Sequence, residues 1–176
     1  KESHTLGGSG NVINNLVAMG AKVSTIGTVG TGKAGQMILE KLDKLGVKTD
    51  SVISEPDRPT TRKTRVIASN QQVLRIDKEI SRKVGKQTFD TLLKIIEEKV
   101  PKVDLVILSD YAKGLICQDL VKRVVAVSRA HDVLTIADPK SLDFNKYKNV
   151  SLLTPNKKEA GLAAQMEITT LEELFT

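Results

Sequence analysis

The sequence predicts an α/β fold with a mostly parallel sheet. Segments with the apolar pattern of strands alternate with segments of helical period along most of the 176 residues. One strand pattern, residues 104–109, is continuously apolar, which is typical of a strand covered on both faces. Glycine-rich turns at 7–10 and 27–32 stand directly before helical patterns. No internal repeat or low-complexity linker interrupts this order, so we expect one domain across residues 1–176.

Each element follows from a local pattern. Helices are predicted where apolar residues recur every three or four positions, at 11–19, 34–45, 86–99 and 118–131, with another starting near Asn156. Strands are predicted where apolar residues alternate or run together, at 22–29, 104–109, 133–137 and 151–153. Gly46 closes the second helix, because glycine accepts the left-handed conformation that ends helices.

A hairpin interrupts this order at residues 57–78, with its turn at Ser69-Asn70. Its strands carry an unusual density of polar side chains: Thr60, Lys63, Arg65, Gln71, Gln72, Arg75 and Asp77. Guanidinium, ammonium, amide and hydroxyl groups together suit a hydroxyl-rich, phosphorylated ligand. We therefore predict that this hairpin projects from the sheet and covers a sugar-phosphate site.

Composition narrows the class of protein. Aromatic residues make up 3% and Trp is absent, which disfavours a base-stacking nucleic-acid platform, and the 27 basic residues are interspersed with 21 acidic ones. The single cysteine, Cys117, allows no internal disulfide and fits a reducing compartment. His4 and His131 stand apart from any metal-ligand spacing. No apolar run has the length of a membrane span, so we expect no membrane partner and a cytoplasmic location.

The second glycine-rich turn has two interpretations. Residues 27–33 match the Gly-x4-Gly-Lys spacing of a P-loop, after a strand and before a helix, and residues 105–110 resemble the acidic strand that accompanies it. However, a P-loop needs Ser or Thr after the lysine to hold Mg²⁺, and this chain has Ala34. We favour an ordinary turn with Lys33 exposed to solvent.

Polar side chains follow three successive predicted strands, namely Asp110 with Lys113, Asp138 with Lys140, and Asn156 with Glu159. Ligands of open α/β sheets bind beyond the carboxyl ends of the strands. Taken singly, each group also fits an ordinary helix cap, and Asn156 with Glu159 has the spacing of a capping box. The glycines before Asn11 likewise suit an oxygen-rich ligand, although such turns are common before helices. Three strands ending this way favour a phosphate- or metal-directed site.

Together these motifs resemble the PfkB or ribokinase family of sugar kinases along essentially the whole chain. The matching pieces are Gly7-Gly-Ser-Gly-Asn11, Gly27-x-x-Gly30, Ala34-Gly35, Asp138-Pro-Lys140 and Thr154-Pro-Asn156-x-x-Glu159. The segments most similar to the heptose 7-phosphate kinases of that family are Arg58-Pro-Thr-Thr, Ser69-Asn-Gln-Gln-x-Leu-Arg75-x-Asp77 and Ser109-Asp-Tyr-Ala-Lys-Gly114. The resemblance implies a ribokinase-like, three-layer αβα fold with the hairpin as a lid.

The resemblance also implies an activity. ATP, with Mg²⁺, would phosphorylate the anomeric hydroxyl of D-glycero-D-manno-heptose 7-phosphate, giving the 1,7-bisphosphate for ADP-heptose and the lipopolysaccharide core. The residues implied to bind the sugar phosphate are Gly7, Gly8, Asn11, Arg58, Lys63, Arg65, Gln72, Arg75, Asp110 and Lys113. Those implied to bind ATP are Lys140, Asn156, Lys157, Lys158 and Glu159, with Glu159 also acting indirectly on the metal. Pairing of hairpins in a homodimer is a further implication.

Two departures from the family pattern change these expectations. Thr31 and Gly32 stand where the family usually carries acidic residues. The Gly-Ala-Gly-Asp motif that supplies the catalytic base and the anion hole is absent from this sequence, and no strand precedes Leu6. We therefore expect a partial domain, inactive alone, with its base beyond Thr176. Two alternatives stay open: another PfkB kinase acting on a different sugar or sugar phosphate, and a non-catalytic nucleotide- or sugar-binding module.

Overall fold

The chain forms two compact units in a computed structural model that describes residues 2–140, 143–170 and 172–174. The first unit consists of Lys1–Leu92 with Lys113–Leu115, and the second of Leu93–Ala112 with Ile116–Thr176. The fold is mixed α/β with parallel strands in each unit.

Parallel strands and an exposed hairpin make up the sheets of the first unit. In chain order its elements are α1 (Ser9–Ala18), β1 (Gly27–Gly30), α2 (Lys33–Lys44), β2 (Val52–Glu55), β3 (Arg62–Ala68) and β4 (Gln71–Lys78). β1 pairs in parallel with β2 from Gly27 opposite Val52. Val29, Leu42 and Val47 are buried and form part of the apolar core of this unit.

The hairpin of β3 and β4 is antiparallel and turns where the sequence predicts. Ser69 and Asn70 both have positive φ, at 48° and 60°, which is the combination of a type I′ turn. A bulge lies between Val66 and Ile67. All but one of the residues of the two strands are exposed, so the hairpin adds little to the core.

A three-stranded parallel sheet organises the second unit. Helix α3 (Lys86–Lys99) runs into it from the first unit, and β5 (Leu105–Ser109), α4 (Gln118–Ala130), β6 (Leu134–Asp138), β7 (Leu152–Leu153) and α5 (Lys157–Ala164) follow. The strand order is β5-β6-β7, and a short 3₁₀ helix, Phe144–Tyr147, lies between β6 and β7 in the chain. Since all three strands are parallel, their carboxyl ends share one edge of the sheet.

The helices agree with their predicted bounds to within about two residues, but the strands differ more. The predicted strand 22–29 has only residues 27–30 in a ladder, with a single bridge from Ser24 to Lys48 before it. Its partner β2, which the sequence pattern did not indicate, has four residues. A ladder extends only as far as its partner runs alongside, so the apolar pattern of one strand overestimates its length.

Candidate functional site

One face of the hairpin is charged. Lys63 lies opposite Asp77 in the ladder, and Arg65 lies opposite Arg75. Because side chains alternate between faces, these four residues share one face. Asp77 accepts a hydrogen bond from Lys63 Nζ at 3.0 Å and two from Arg75, from Nε at 2.9 Å and Nη2 at 2.8 Å. These bonds, those of Arg75 first, lower the pKa of Asp77 to about 2.

The ion pairs continue along the base of the hairpin. Glu79 accepts from Lys63 Nζ at 3.0 Å and from Lys113 Nζ at 2.7 Å. The bond from Lys113, and then that from Lys63, lowers the pKa of Glu79. The bonds to Asp77 and Glu79 raise the pKa of Lys63. The chain of alternating charges therefore runs from Arg75 to Lys113, with every member partly exposed.

Arg65 and Gln72 stand apart from this chain of ion pairs. Both are exposed, and neither side chain makes a hydrogen bond or ion pair within the described ranges 2–140, 143–170 and 172–174. The opposite face exposes Val66, Leu74 and Ile76 by about half, and it carries Arg62 opposite Lys78 at the far end of the ladder from the turn. The hairpin thus has one ionic face and one mixed face with three exposed apolar side chains.

Arg58 belongs to a buried cluster at the base of the hairpin. It forms an ion pair with Glu55, whose side chain is 7% exposed against 6% for Arg58. Arg58 also donates to the carbonyl of Lys113 at 3.1 Å and to that of Arg82 at 2.6 Å, while Glu55 accepts from the Gly85 amide at 2.6 Å. Each guanidinium nitrogen of Arg58 therefore has a protein partner. Its contact with a phosphate stays a prediction, and the structure gives it a role in holding three backbone segments together.

The backbone of the segment from Arg58 to Thr60 packs against the glycine-rich turn at the end of β1. The Gly30 amide donates to Thr60 Oγ1 at 2.9 Å, and a Cβ at Gly30 would meet the Arg58 carbonyl. Gly35 packs so closely on Gly30 that a Cβ there would meet the Gly30 carbonyl. A P-loop needs its amides free for phosphate. The geometry therefore favours the ordinary turn over the P-loop.

The first glycine-rich segment opens α1 as expected. Gly8 is the N-cap, with φ 54°, and no side chain caps the helix there. The first hydrogen bonds of the helix run from the amides of Gly10 and Asn11 to the carbonyls of Gly7 and Gly8, both at 3.0 Å. Gly7, Gly8 and Asn11 are all exposed. Their role in sugar binding stays a prediction.

In the second unit, Asp110 at the end of β5 is held by internal hydrogen bonds. It is 2% exposed and accepts from the Tyr147 hydroxyl at 2.6 Å, from the Ala112 amide at 2.7 Å and from Lys146, with which it forms an ion pair. The Lys140 amide donates to the same Tyr147 hydroxyl at 3.3 Å. With both carboxylate oxygens occupied, Asp110 links the ends of β5 and β6. A direct contact of Asp110 with substrate stays a prediction.

Asp138, Lys140 and Glu159 form the charged group at the ends of β6 and β7. Lys140 Nζ donates to Glu159 at 2.6 Å, which lowers the pKa of Glu159 and raises that of Lys140. Asn156 and Glu159 form the predicted capping box of α5, with bonds of 2.9 and 3.0 Å. The Asp138 carboxyl has no hydrogen bond within the described part of the chain. Burial first, and then the charges of Glu159 and Asp110, raise its pKa.

The other residues predicted to bind ATP are Lys157 and Lys158, which lie exposed in the first turn of α5. Lys157 Nζ donates to the Thr169 carbonyl at 3.5 Å. Among the described residues, no group of three or more His, Cys, Asp or Glu side chains is arranged to hold a metal ion. Within the same ranges, no helix combines the length and apolarity needed to cross a membrane.

Sequence reasoning did not assign three of the residues that organise these clusters. Tyr147 gave no signal, because one aromatic residue in a loop does not reveal its partner. Glu55 gave none either, because a single carboxylate at the end of a strand does not reveal its partner. Glu79 had a signal: it continues the every-second-residue series of Arg75 and Asp77, which places it on the charged face.

Comparison with known proteins gives consistent matches. The model of the family described as "pfkB family carbohydrate kinase" matches residues 1–175. A curated relative named Bifunctional protein HldE, from Desulfatibacillum aliphaticivorans, is 45% identical over 168 residues, which are 96% of this chain and 34% of the relative. The protein of the same name from Helicobacter hepaticus is 40% identical over 174 residues, which are 99% of this chain and 36% of that relative. The chain thus spans about a third of these relatives.

Solved structures of sugar kinases have the same fold. Arabidopsis thaliana ribokinase, complexed with ribose and ATP, matches with a TM-score of 0.70 at 20% identity, covering 99% of this chain and 59% of that one. The phosphofructokinase-2 of Escherichia coli matches with a TM-score of 0.69 at 17% identity, covering 96% and 55%. At these identities the likeness concerns the fold, which is ribokinase-like, and this chain corresponds to part of that domain.

Proposed function

Because the chain belongs to the pfkB family of carbohydrate kinases, we propose that it forms part of a kinase that phosphorylates the anomeric hydroxyl of D-glycero-D-manno-heptose 7-phosphate, with ATP as the donor. The product would be the 1,7-bisphosphate, a precursor of ADP-heptose. The observation that carries the choice of substrate is the cationic face of the hairpin in a chain 36–45% identical to relatives named HldE. We propose a location in the bacterial cytoplasm, because the reaction would consume ATP.

In this proposal the first unit binds the sugar phosphate. The exposed amide and backbone groups from Gly7 to Asn11 would bind hydroxyls, since the start of α1 has no side-chain cap. The charged face of the hairpin would bind the phosphorylated end. Closing the hairpin over the sugar would exclude water and so limit wasteful hydrolysis of ATP.

The second unit would bind the nucleotide. Lys140, Lys157 and Lys158 offer ammonium groups for ATP phosphates, around the capped start of α5 at Asn156. The Asp138 carboxyl would be available to a magnesium ion, because Mg²⁺ is usually held by one or two carboxylates together with substrate phosphates. Glu159 would act on the metal indirectly, since Lys140 and the Asn156 amide already bind its two oxygens. Burial, and then the charge of Glu159, raises the pKa of Asp138, so a bound cation would favour the ionised form of this carboxyl.

The chemistry required of these groups is mainly positioning. Phosphoryl transfer needs the acceptor hydroxyl in line with the γ-phosphate, and it needs compensation of the negative charge spread over the phosphate oxygens. Bound Mg²⁺ would supply part of that compensation. The lysines of this chain would supply another part, while the hairpin would hold the acceptor sugar in place. The general base would come from outside residues 1–176, as the sequence lacks the family's Gly-Ala-Gly-Asp motif.

The test is a comparison of acceptors. The natural gene product that carries this chain should phosphorylate heptose 7-phosphate with a higher kcat/KM than fructose 6-phosphate or ribose, and the product should be the 1,7-bisphosphate by ³¹P NMR. A preference for ribose would instead favour another sugar kinase of the family. Binding of sugar phosphate without any turnover would favour a non-catalytic module.

We also propose that two copies pair through their hairpins. The support is the face that exposes Val66, Leu74 and Ile76, because exposed apolar side chains on a hairpin offer a surface for a second chain. Sedimentation of the natural gene product, compared with a Leu74→Lys variant, tests this directly. The variant should sediment as the smaller species, whereas equal sedimentation would exclude pairing through this face.

A further inference from the structure

We propose that Tyr147 is a positioning residue of the nucleotide site, whose hydroxyl holds the backbone of Lys140 and so presents the Lys140 ammonium group to the phosphates of ATP. The proposal rests on the proposed function for the identity of the ligand. The hydrogen bonds that carry it all lie within the second unit. Asp110, which the sequence predicts to contact the sugar, has here the different role of anchoring the Tyr147 hydroxyl.

The first argument concerns the backbone where β6 ends. The Asp110 amide donates to the Asp138 carbonyl at 3.2 Å, at the end of the ladder between β5 and β6. Pro139 follows, and because proline has no N–H it cannot donate to a continued ladder. The Lys140 amide is therefore the first donor beyond β6, and it donates to the Tyr147 hydroxyl at 3.3 Å. The hydroxyl thus replaces a strand partner where Lys140 leaves the sheet.

The second argument is that the direction of these hydrogen bonds is fixed. A backbone amide can only donate, and a carboxylate paired with an ammonium group accepts. The Tyr147 hydroxyl therefore accepts from Lys140 and donates to Asp110, at 2.6 Å. Asp110 is held in turn by the Ala112 amide, at 2.7 Å, and by its ion pair with Lys146. Tyr147 is 1% exposed, and a phenylalanine in its place could make neither bond.

The third argument is that the side chain of Lys140 is held at its other end as well. Its Nζ donates to Glu159 at 2.6 Å, and the second oxygen of Glu159 accepts from the Asn156 amide at 3.0 Å. The Lys140 side chain is nevertheless 50% exposed. An ammonium group has three donors, so Lys140 can bind phosphate oxygens while it keeps its bond to Glu159. A cation held at both ends loses less conformational entropy when ATP binds.

The test compares Tyr147→Phe with Val121→Ala in the natural gene product. Val121 is 1% exposed in α4 of the same unit, so its truncation lowers stability without removing a side-chain hydrogen bond. Calorimetric titration with the ATP analogue AMP-PNP, in the presence of Mg²⁺, measures nucleotide affinity. Tyr147→Phe should weaken this affinity by roughly 3- to 10-fold, which corresponds to one hydrogen bond. Val121→Ala should leave it unchanged, and equal weakening in both variants would show that Tyr147 acts on stability alone.

A double-mutant cycle with Lys140→Met tests whether Tyr147 acts through Lys140. If it does, Tyr147→Phe should cause no further loss of affinity in the Lys140→Met background. The same loss in both backgrounds would overturn the proposal, because the hydroxyl would then act independently of Lys140.

Turnover separates this proposal from the proposed function. With heptose 7-phosphate as acceptor, Tyr147→Phe should raise the KM for ATP and leave the KM for the sugar phosphate unchanged. If the wild type phosphorylates no sugar but binds the analogue, and the cycle couples Tyr147 to Lys140, the kinase proposal fails and the positioning role stands. If the wild type is a kinase but Tyr147→Phe leaves nucleotide affinity unchanged, the positioning role is overturned. A wild type that does not bind the analogue overturns both.

Discussion

The ion pairs of the hairpin and those buried elsewhere in the chain have similar partners but opposite surroundings. On the hairpin, the paired side chains from Lys63 to Lys113 are 27–45% exposed. The pair of Glu55 and Arg58 is below 10% exposed and uses every charged nitrogen. Exposed pairs contribute little to stability, whereas removing one partner of a buried pair leaves an uncompensated charge.

The buried and the exposed ion pairs differ in what they contribute to the fold. The buried pairs hold backbone segments that are distant in sequence, as Arg58 does with Arg82 and Lys113. The exposed pairs lie on a hairpin that contributes little to the core, so stability does not account for their number. The charged face is therefore available to the ligand proposed above. Four substitutions test this difference between exposed and buried polar groups.

The largest effect is expected for Arg58→Ala. The change leaves Glu55 buried without its partner and removes the bonds to two carbonyls, which should cost about 3–5 kcal/mol of unfolding free energy. Urea unfolding of the natural gene product, followed by circular dichroism, measures this loss. The exposed Arg62→Ala on the neighbouring strand should change stability by less than about 0.5 kcal/mol. Equal effects of the two variants would contradict the structural role of Arg58.

A smaller loss is expected for Tyr147→Phe. It removes one hydroxyl that donates to the buried Asp110 and accepts from the Lys140 amide, at about 1.5–3 kcal/mol. The same substitution at the exposed Tyr111 is the control. A loss no larger at Tyr147 than at Tyr111 in urea unfolding would show that the Asp110 cluster does not depend on this hydroxyl.

A gain in stability is expected for Asp138→Asn at pH 7. Burial and the charge of Glu159 raise the pKa of Asp138, so its ionised form is disfavoured in the folded state. The variant removes that cost, a gain on the order of a few tenths of a kcal/mol. The gain should shrink as the pH falls through the folded pKa, and it should vanish below the ordinary value near 3.8, where Asp138 is protonated in both states.

Unfolding midpoints measured from pH 7 to pH 4 check this sign, with the exposed Asp104→Asn as the control. A gain that grew with falling pH would contradict the assignment. Activity should decline in Asp138→Asn even as stability rises, because the proposed magnesium ligand is lost.

The smallest effect is expected for Asp77→Asn. Although Asp77 accepts three hydrogen bonds and has a pKa of about 2, it is exposed, and solvent screens its interactions. The midpoint of urea unfolding should therefore stay where it is in the wild type. If Asp77→Asn destabilised the protein as much as Arg58→Ala does, the hairpin pairs would be part of the architecture, and the contrast between the two regions would disappear.

Most of the secondary structure and its local chemistry follow from short stretches of the amino-acid sequence. Helix periods, the Ser69-Asn70 turn and the capping box at Asn156 and Glu159 depend on residues close together in the chain, so they could be read without coordinates. The charged composition of the hairpin was visible for the same reason. Together with the family motifs, these features indicated a sugar kinase.

Which charged groups are accessible to a ligand depends on the tertiary structure. Arg58 and Asp110 carry charged side chains that the sequence predicted to bind the ligand. The structure buries both of them among internal hydrogen-bond partners. Arg65, which looked like one polar position among several, keeps its guanidinium group exposed. Whether a charge meets a ligand depends on partners up to 55 positions away in the chain, and those partners come together only in the fold.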